Sequence, residues 1–411
     1  MRRNLNWERI LSSLRDGVTS DEDMEFLEVG RDYEVMEFEK IIVSLKNSDK
    51  SVTKFIDGDY GDGKTFFLKV INEKTNNLNF VVSSVVVNPY NPFYKLDLLY
   101  QDILRQISSK KANSFVSIVN RWITGLNRKA SSKYPDDIPR QQKFVEENID
   151  DVLNKVKGIN PTFVRVIKKF YEFSKGPKSN IAEEGLFWLC GENIESSVKR
   201  EFGIQGTIDN SNALNYIKTL SIFFKDIGYS GFVILFDECE TIMDYPQNGL
   251  QSTYNIIRDI YNKSSRNEFK GTLFVFAGIP SWFEDSQKGI KSNPALYDRI
   301  KDPISNSNIK VPQAVIHLGK FNKNDLLKLS RKIFNLYDKV YKNNKTTNKF
   351  SPYVVIVVDS YIKTGLIDIA SLRDFIKELI GYLDHIRENP DSYKTQGQFL
   401  ELIGQVEDDD W

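Results

Sequence analysis

The residues most able to do chemistry form one short run, Gly58-Asp59-Tyr60-Gly61-Asp62-Gly63-Lys64-Thr65. It matches the phosphate-binding loop pattern G-x-x-x-x-G-K-[ST] at every required position. Glycines let the backbone curl with its N–H groups inward, which makes a concave site for an anion. Lys64 would reach the β- and γ-phosphates of ATP, and the Thr65 hydroxyl would bind Mg²⁺. We expect the whole run and Phe66 to contact the nucleotide, with the Lys64 ammonium in solvent until a phosphate arrives.

A second chemical feature is an acidic pair at the end of an apolar run. Residues 232–236 are all apolar, and Asp237 and Glu238 follow them directly. A buried strand of this kind would carry both carboxylates to the carboxyl edge of a sheet, beside the phosphate loop. Asp237 would then hold Mg²⁺, and Glu238 would orient or deprotonate the attacking water.

These residues need a strand and a helix to position them. Residues 52–57 read as a strand that ends at the loop, and residues 66–71 read as the start of a buried helix. Further strands are predicted at residues 80–87, 232–236, 271–278 and 313–318. Helices are predicted at residues 7–14, 94–107, 208–224, 321–336, 353–361 and from 371 onward.

A basic helical segment interrupts the strand pattern. Between residues 105 and 178 there are 16 Lys or Arg and 7 Asp or Glu, a net charge of +9, whereas the whole chain is neutral. Such a segment can serve as a face for nucleic acid or for an acidic partner. A set of solvated helices explains it as well, and the sequence leaves both explanations open.

The composition limits which other classes of protein are possible. The chain has 411 residues, enough for roughly two or three domains. Two cysteines, Cys190 and Cys239, and two histidines exclude most metal clusters and disulfide frameworks. We expect Cys239 to be a small buried residue. The N-terminus has no apolar signal core, and no apolar run has the length of a membrane span, so we expect a cytoplasmic protein without a membrane partner.

Taken together, the motifs resemble those of the ATP-binding P-loop proteins of BREX-type phage-defence operons, specifically the smaller, D-component type. The resemblance rests on residues 58–67, 209–214, 235–240, 277–283, 294–299 and 371–375, which stand in the family's order. The family is similar to the AAA+ class that includes the origin-recognition ATPases.

The resemblance implies an α/β fold of the AAA+-like P-loop type, with a central five-stranded parallel sheet and a C-terminal helical lid. By this comparison, N-terminal helices occupy residues 1–50 and the ATPase core residues 51–320. The basic insert occupies about residues 105–205, the lid residues 321–405, and an acidic tail residues 406–411.

Comparison with the AAA+ class adds site residues outside the loop. Arg31 would contact adenine, although an ordinary helix start explains its stretch equally well. Ser281 would sense the γ-phosphate. Arg299 would be an arginine finger that completes a neighbour's site, or else a surface residue. Arg373 would be a second sensor on the lid.

We therefore expect an ATP-hydrolysing, Mg²⁺-dependent protein of a bacterial antiviral system. Its partners would be other defence proteins, and it would form a homo-oligomer in the ATP-bound state. Two alternatives stay open. One is a nucleotide-gated scaffold with little turnover, and the other is a DNA-binding loader that uses the basic insert.

Overall fold

The computed structural model describes residues 6–16, 29–301, 313–341, 357–359, 362 and 372–388. Most of the predicted helix over residues 353–361 and the predicted acidic tail lie outside these residues. The chain divides into two compact units. The first takes its residues from Met1–Met36, Gly58–Val70 and His317–Trp411, and the second from Glu37–Asp57 and Ile71–Ile316.

The described strands form one mixed sheet. They are β1 (Ser51–Asp57), β2 (Val81–Val86), β3 (Ile107–Ser108), β4 (Phe232–Asp237), β5 (Thr272–Gly278) and β6 (Val315–His317). Their order across the sheet is β3-β2-β4-β5-β1-β6. Strands β2, β4, β5 and β1 pair in parallel, whereas β3 is antiparallel to β2. All five predicted strand segments are confirmed to within two residues at each end.

The expectation of a purely parallel, five-stranded sheet is wrong. The described sheet has six strands, and the additional edge strand β3 runs antiparallel to its neighbour. Strand β3 is only two residues long and begins two residues after a helix ends. Two residues cannot show the alternation by which a strand is recognised from sequence.

The described α-helices are numbered in the order of the chain. They are α1 (Trp7–Arg15), α2 (Asp32–Lys46), α3 (Lys64–Asn77), α4 (Leu96–Arg105), α5 (Phe115–Lys133), α6 (Ile138–Lys157), α7 (Pro161–Ser174), α8 (Glu184–Leu189), α9 (Ser196–Phe202), α10 (Ala213–Asp226), α11 (Gln247–Ser265), α12 (Pro280–Glu284), α13 (Pro294–Ile300), α14 (Lys323–Tyr341) and α15 (Leu372–Glu388). None of these described helices combines the length and the apolar character needed to cross a membrane.

The core of the second unit lies on the central strands. The ring of Phe276 on β5 stacks on Phe236 of β4 at 4.8 Å and on Phe55 of β1 at 5.3 Å between ring centroids. All three rings are fully buried. Each buried ring contributes about 1.5–3 kcal/mol through the hydrophobic effect, so the three strands are held firmly side by side. Their carboxyl ends form a rigid edge.

The first unit has a helical core of its own. Apolar side chains of α1, α14 and α15 pack together, and all of them are buried: Ile10, Leu11, Leu14, Leu326, Leu329, Ile333, Leu336, Phe375, Leu379, Ile380 and Leu383. Arg15 on α1 adds a two-pronged ion pair with Asp384 on α15, at 2.9 and 2.6 Å. A bidentate geometry of this kind fixes the angle between the helices as well as stabilising them.

Candidate functional site

The phosphate loop connects a strand to a helix, as predicted. Strand β1 ends at Asp57 and helix α3 begins at Lys64. Gly61 and Gly63 both have φ of 86°, in the left-handed region that favours glycine. The backbone therefore curls at Gly63, which the pattern requires, and at Gly61, where the pattern allows any residue. Because α3 starts inside the loop, the free N–H groups of its first turn belong to the same segment.

Lys64 does not extend into solvent. Its side chain is only 8% exposed, and Nζ donates to the carbonyl oxygens of Gly58 at 2.8 Å and Asp59 at 3.0 Å. Nζ also lies 5.4 Å from the ring centroid of Tyr60, whose side chain is 70% exposed. The expectation of a solvent-exposed ammonium is wrong, because the curled loop turns its own carbonyl groups toward this lysine. A phosphate would have to exchange for these hydrogen bonds.

The side chain of Asp62 forms a hydrogen bond within its own loop. Its Oδ2 accepts a hydrogen bond from the backbone N–H of Asp59 at 2.7 Å. Burial raises the pKa of the Asp62 carboxyl, against the opposing effect of this hydrogen bond. The pattern allows any residue at this position, so the hydrogen bond to Asp59 was not predicted, and the expected contact of Asp62 with the nucleotide stays a prediction.

Arg31 is held on several sides. Its side chain is 7% exposed, and Nη2 donates to the backbone carbonyl of Asp62 at 2.9 Å. The guanidinium carbon lies 4.6 Å from the ring centroid of Phe321, and Nη1 is 3.9 Å from a carboxylate oxygen of Glu34. Burial lowers the pKa of Arg31. Arg31 thus contacts the loop itself, and its predicted contact with adenine stays a prediction.

The segment before Arg31 is closely packed. Gly30 has φ of 73°, and a Cβ there would lie 2.8 Å from Cγ of Asp325 and 3.0 Å from the ring of Phe321. Only glycine fits this position. Nothing in the sequence pattern signalled that Phe321, which lies 290 residues away in the chain, would stack on Arg31.

The remaining loop residues differ in exposure. Asp59 and Thr65 are exposed, so the Thr65 hydroxyl is accessible to a ligand. Phe66 is half-buried and packs against the helical core of the first unit. Its predicted role at the nucleotide is not tested by this packing.

The acidic pair ends strand β4. Asp237 is 8% exposed, and its Oδ1 accepts the N–H of Glu238 at 3.0 Å. Glu238 is exposed and has φ of 56° and ψ of 39°. This left-handed conformation is unfavourable for a side chain such as glutamate. The next residue, Cys239, is fully buried as predicted, and burial raises the pKa of its thiol.

The sheet places the carboxyl ends of β1 and β4 at one edge. Asp57 at the end of β1 pairs with Gly278 of β5, and Phe236 near the end of β4 pairs with Phe276 of β5. Because the strands are parallel, their carboxyl ends lie at the same edge. The phosphate loop follows β1 directly in the chain, and Glu238 follows β4.

Three further predicted residues lie on helices. Ser281 is exposed on α12. Arg299 is exposed on α13, where its Nε donates to Oδ1 of Asn262 at 2.7 Å and its Nη1 donates to the carbonyl of Ala295. Arg373 is exposed near the start of α15, and no other described residue is paired with it. Their roles stay predictions.

Comparison with known families decides the assignment. The family model for the BREX system ATP-binding protein BrxC/D matches residues 3–399. The chain belongs to the BREX system ATP-binding protein BrxC/D family. The predicted resemblance is therefore confirmed, and so are ATP binding as the family property and a connection with BREX phage defence. Searches of curated proteins and of solved structures found no match.

Proposed function

We propose that the chain is an AAA+-like P-loop ATPase that binds and hydrolyses ATP with Mg²⁺ in a BREX phage-defence system. The observation that carries the proposal is the local geometry of the loop. Two glycines in the left-handed conformation are followed at once by Lys64 at the first position of a helix. This arrangement suits a triphosphate, because curled backbone N–H groups and a helix N-terminus both attract anions.

The acidic pair supplies the proposed hydrolytic chemistry. Glu238 is exposed in a strained conformation, which fits a carboxylate that orients a water for attack on the γ-phosphate. Lys64, Arg299 and Arg373 would neutralise the charge that develops in the transition state.

The donors fit a magnesium ion. Thr65 offers an accessible hydroxyl, and Asp237 offers a largely buried carboxylate whose only described hydrogen bond uses Oδ1. Mg²⁺ prefers such oxygen donors, few in number, together with phosphate oxygens and water. When bound, the ion would neutralise phosphate charge. Both described cysteines are free thiols, which suits a reducing cytoplasm.

Two substitutions test this function. Lys64→Ala should abolish ATP binding, because it removes the only loop cation. Glu238→Gln should bind ATP normally but hydrolyse it slowly, because the amide keeps the shape and cannot accept a proton. Binding is measured by titration with a fluorescent ATP analogue, and turnover by steady-state phosphate release.

The controls separate folding from function. Lys64 is bonded to loop carbonyls, so its variant must keep the parent's melting temperature for the result to count. Lys69→Ala, on the same helix, should bind ATP like the parent. Equal ATP affinity of Lys64→Ala and the parent would refute the binding site. Normal turnover by Glu238→Gln would refute the role of that acid, and negligible turnover by the parent would favour the nucleotide-gated scaffold.

Assembly belongs to the same proposal. An exposed Arg299 could complete the site of a neighbouring copy, which would make an ATP-bound homo-oligomer the active form. Other BREX proteins would bind this assembly.

DNA binding is a second candidate function, favoured by the distribution of charge. Residues 103–135 contain seven Lys or Arg and no Asp or Glu. Helix α5 exposes Arg121, Arg128 and Lys129, none of which is ion-paired with another described residue. Elsewhere in the basic segment the pattern differs: Lys155 pairs with Asp226 and Lys169 with Glu172.

The chemistry of this α5 face suits the backbone of duplex DNA. Arg121 and Arg128 are seven residues apart, or about 10 Å along the helix, and lie on one side of it. The positions between them include Thr124 and Asn127, which are exposed hydrogen-bonding groups. No large apolar side chain is exposed in residues 103–135, so the face lacks the apolar centre of a protein interface and the aromatic platform that binds single strands.

A further inference from the structure

The phosphate loop contains an anion of its own. The Asp62 carboxylate accepts a backbone N–H of the loop, that of Asp59, in a short bond of 2.7 Å. Backbone N–H groups are the donors with which such loops hold phosphate. We call this Asp62–Asp59 hydrogen bond the loop brace.

We propose that Asp62 limits the affinity of the loop for nucleotide. Its negative charge opposes that of the bound phosphates, whereas the loop brace holds the loop in the shape that binds them. The inference rests on the proposed function, since it requires that the loop binds ATP.

The surroundings of Asp62 leave much of its charge uncompensated. The charged groups that influence its carboxyl are Arg31, Asp59 and Lys64. The Arg31 guanidinium donates to the backbone carbonyl of Asp62 rather than to its carboxylate. The Lys64 ammonium donates to the carbonyls of Gly58 and Asp59. Neither cation is hydrogen-bonded to the carboxylate.

Arg31 makes the arrangement rigid. It is almost fully buried between the Asp62 carbonyl and the ring of Phe321. The peptide of Asp62 is therefore held from one side by Arg31, while its side chain holds Asp59 from the other. Arg31 is a positioning residue in this account, because it acts on the loop and does not need to touch the nucleotide.

The experiment compares the removal of charge at two positions of the same loop. Asp62→Asn removes the charge but keeps an oxygen that can accept the Asp59 N–H. Asp62→Ala removes both the charge and the brace. Asp59→Asn is the matched control, because Asp59 lies in the same loop with an exposed side chain. Dissociation constants for ATP, ADP and AMP are measured for each protein at low and high salt.

We expect Asp62→Asn to bind ATP more tightly than the parent, by about fivefold or more. This is the effect of two unit charges a few ångströms apart in a water-like medium. The gain should fall from ATP to ADP to AMP as phosphate charge is removed, and it should shrink in high salt. Asp62→Ala should gain less than Asp62→Asn, because its loop has lost the brace. The increase in ATP affinity of Asp59→Asn should be smaller than that of either Asp62 variant.

A purely structural role would give another pattern. Three results would overturn the proposal. They are any loss of ATP affinity in Asp62→Asn, a gain equal to that of Asp59→Asn, and a gain that does not depend on the number of phosphates. Arg31→Lys keeps the charge but not the flat contact with Phe321, and it should weaken ATP binding; unchanged affinity would remove Arg31 from the account. If the well-folded parent binds no ATP at all, the proposed function fails first and this inference with it.

Discussion

The backbone of Glu238 lies in the left-handed conformation, at a residue for which we propose a catalytic role. An L-residue with a side chain in the left-handed region costs about 1–2 kcal/mol relative to its usual conformation. Strand β4 and the short helix Cys239–Asp244 fix the chain on both sides of Glu238. Glycine would occupy the same conformation without strain, so the presence of glutamate fits the role proposed for its carboxylate.

This argument predicts a trade between stability and activity. Glu238→Gly should raise the free energy of unfolding by up to about 1 kcal/mol while abolishing turnover, because the strain and the carboxylate disappear together. Denaturant unfolding and phosphate release measure the two effects. Asp136→Gly is the matched control: Asp136 also has a positive φ, of 61°, and is exposed outside the site. It should gain stability with unchanged turnover. Lower stability of Glu238→Gly would contradict the strain argument.

At the same scale, the sequence predicted which residues form the loop but not how they are bonded. The motif specifies residue types, and these placed Gly63 and Lys64 correctly. It does not specify hydrogen bonds within the loop, so the burial of Lys64 was missed. The contact of Arg31 with Asp62 was missed for another reason: it joins two stretches of chain that no local pattern connects.

At the scale of elements, strands of six or seven residues were predicted from the sequence, and the strand of two residues was not. Strands β1, β2, β4 and β5 are six or seven residues long, and each was recognised from its apolar and β-branched residues. Strand β3 has two residues and was missed. The helices of the basic segment were predicted from their apolar periodicity, but sequence alone could not tell which of their charges are paired.

Helix α5 can now be tested as a DNA-binding element. Arg121→Glu with Arg128→Glu should weaken binding to a fluorescently labelled DNA duplex and should flatten the dependence of log affinity on log salt, by about 0.9 for each DNA phosphate that the protein no longer neutralises. Basal ATP turnover should not change. The matched control is Lys168→Glu with Lys169→Glu, which reverses the same charge on α7. Those lysines are paired with Asp150 and Glu172, so this variant should bind DNA nearly as well as the parent.

Three other results would reject the DNA proposal. The first is that the parent shows no salt-dependent binding to the duplex, and the second is that the two double variants lose affinity equally. The third is tight binding to an acidic protein with none to DNA, which would reassign the α5 face to a protein partner.

At the scale of the whole molecule, each compact unit is built from separate stretches of the chain. The phosphate loop groups with the two ends of the chain, whereas the acidic pair and Arg299 belong to the second unit. Arg31 and Phe321 illustrate the reason, since residues distant in sequence meet in the first unit. The domain boundaries expected at residues 50, 320 and 405 stay a prediction. They were placed from the order of the motifs along the chain, whereas the two compact units are defined by which residues pack together.

The proposed assembly makes a prediction for Arg299. Its guanidinium is exposed on α13 and held by Asn262, so it is accessible to a second copy of the chain. If it acts on a neighbour's site, turnover per subunit should rise with protein concentration. Arg299→Ala should remove that rise and reduce turnover on the order of 10³-fold or more, the usual contribution of an arginine finger. ATP binding should survive, and Arg266→Ala, which changes another exposed arginine of the same unit, should behave as the parent.

A mixing experiment separates action between copies from action within one copy. Arg299→Ala protein has an intact loop, and Lys64→Ala protein has an intact arginine, so each is inactive alone. In a mixture, some interfaces pair the intact loop of one copy with the intact arginine of the other, and part of the activity should return. A contact that closes head to tail between identical subunits permits this exchange. If the mixture stays inactive and the parent's turnover does not depend on concentration, Arg299 is a surface residue, and the charge on the γ-phosphate must be neutralised by the chain's own Arg373 or by a partner protein.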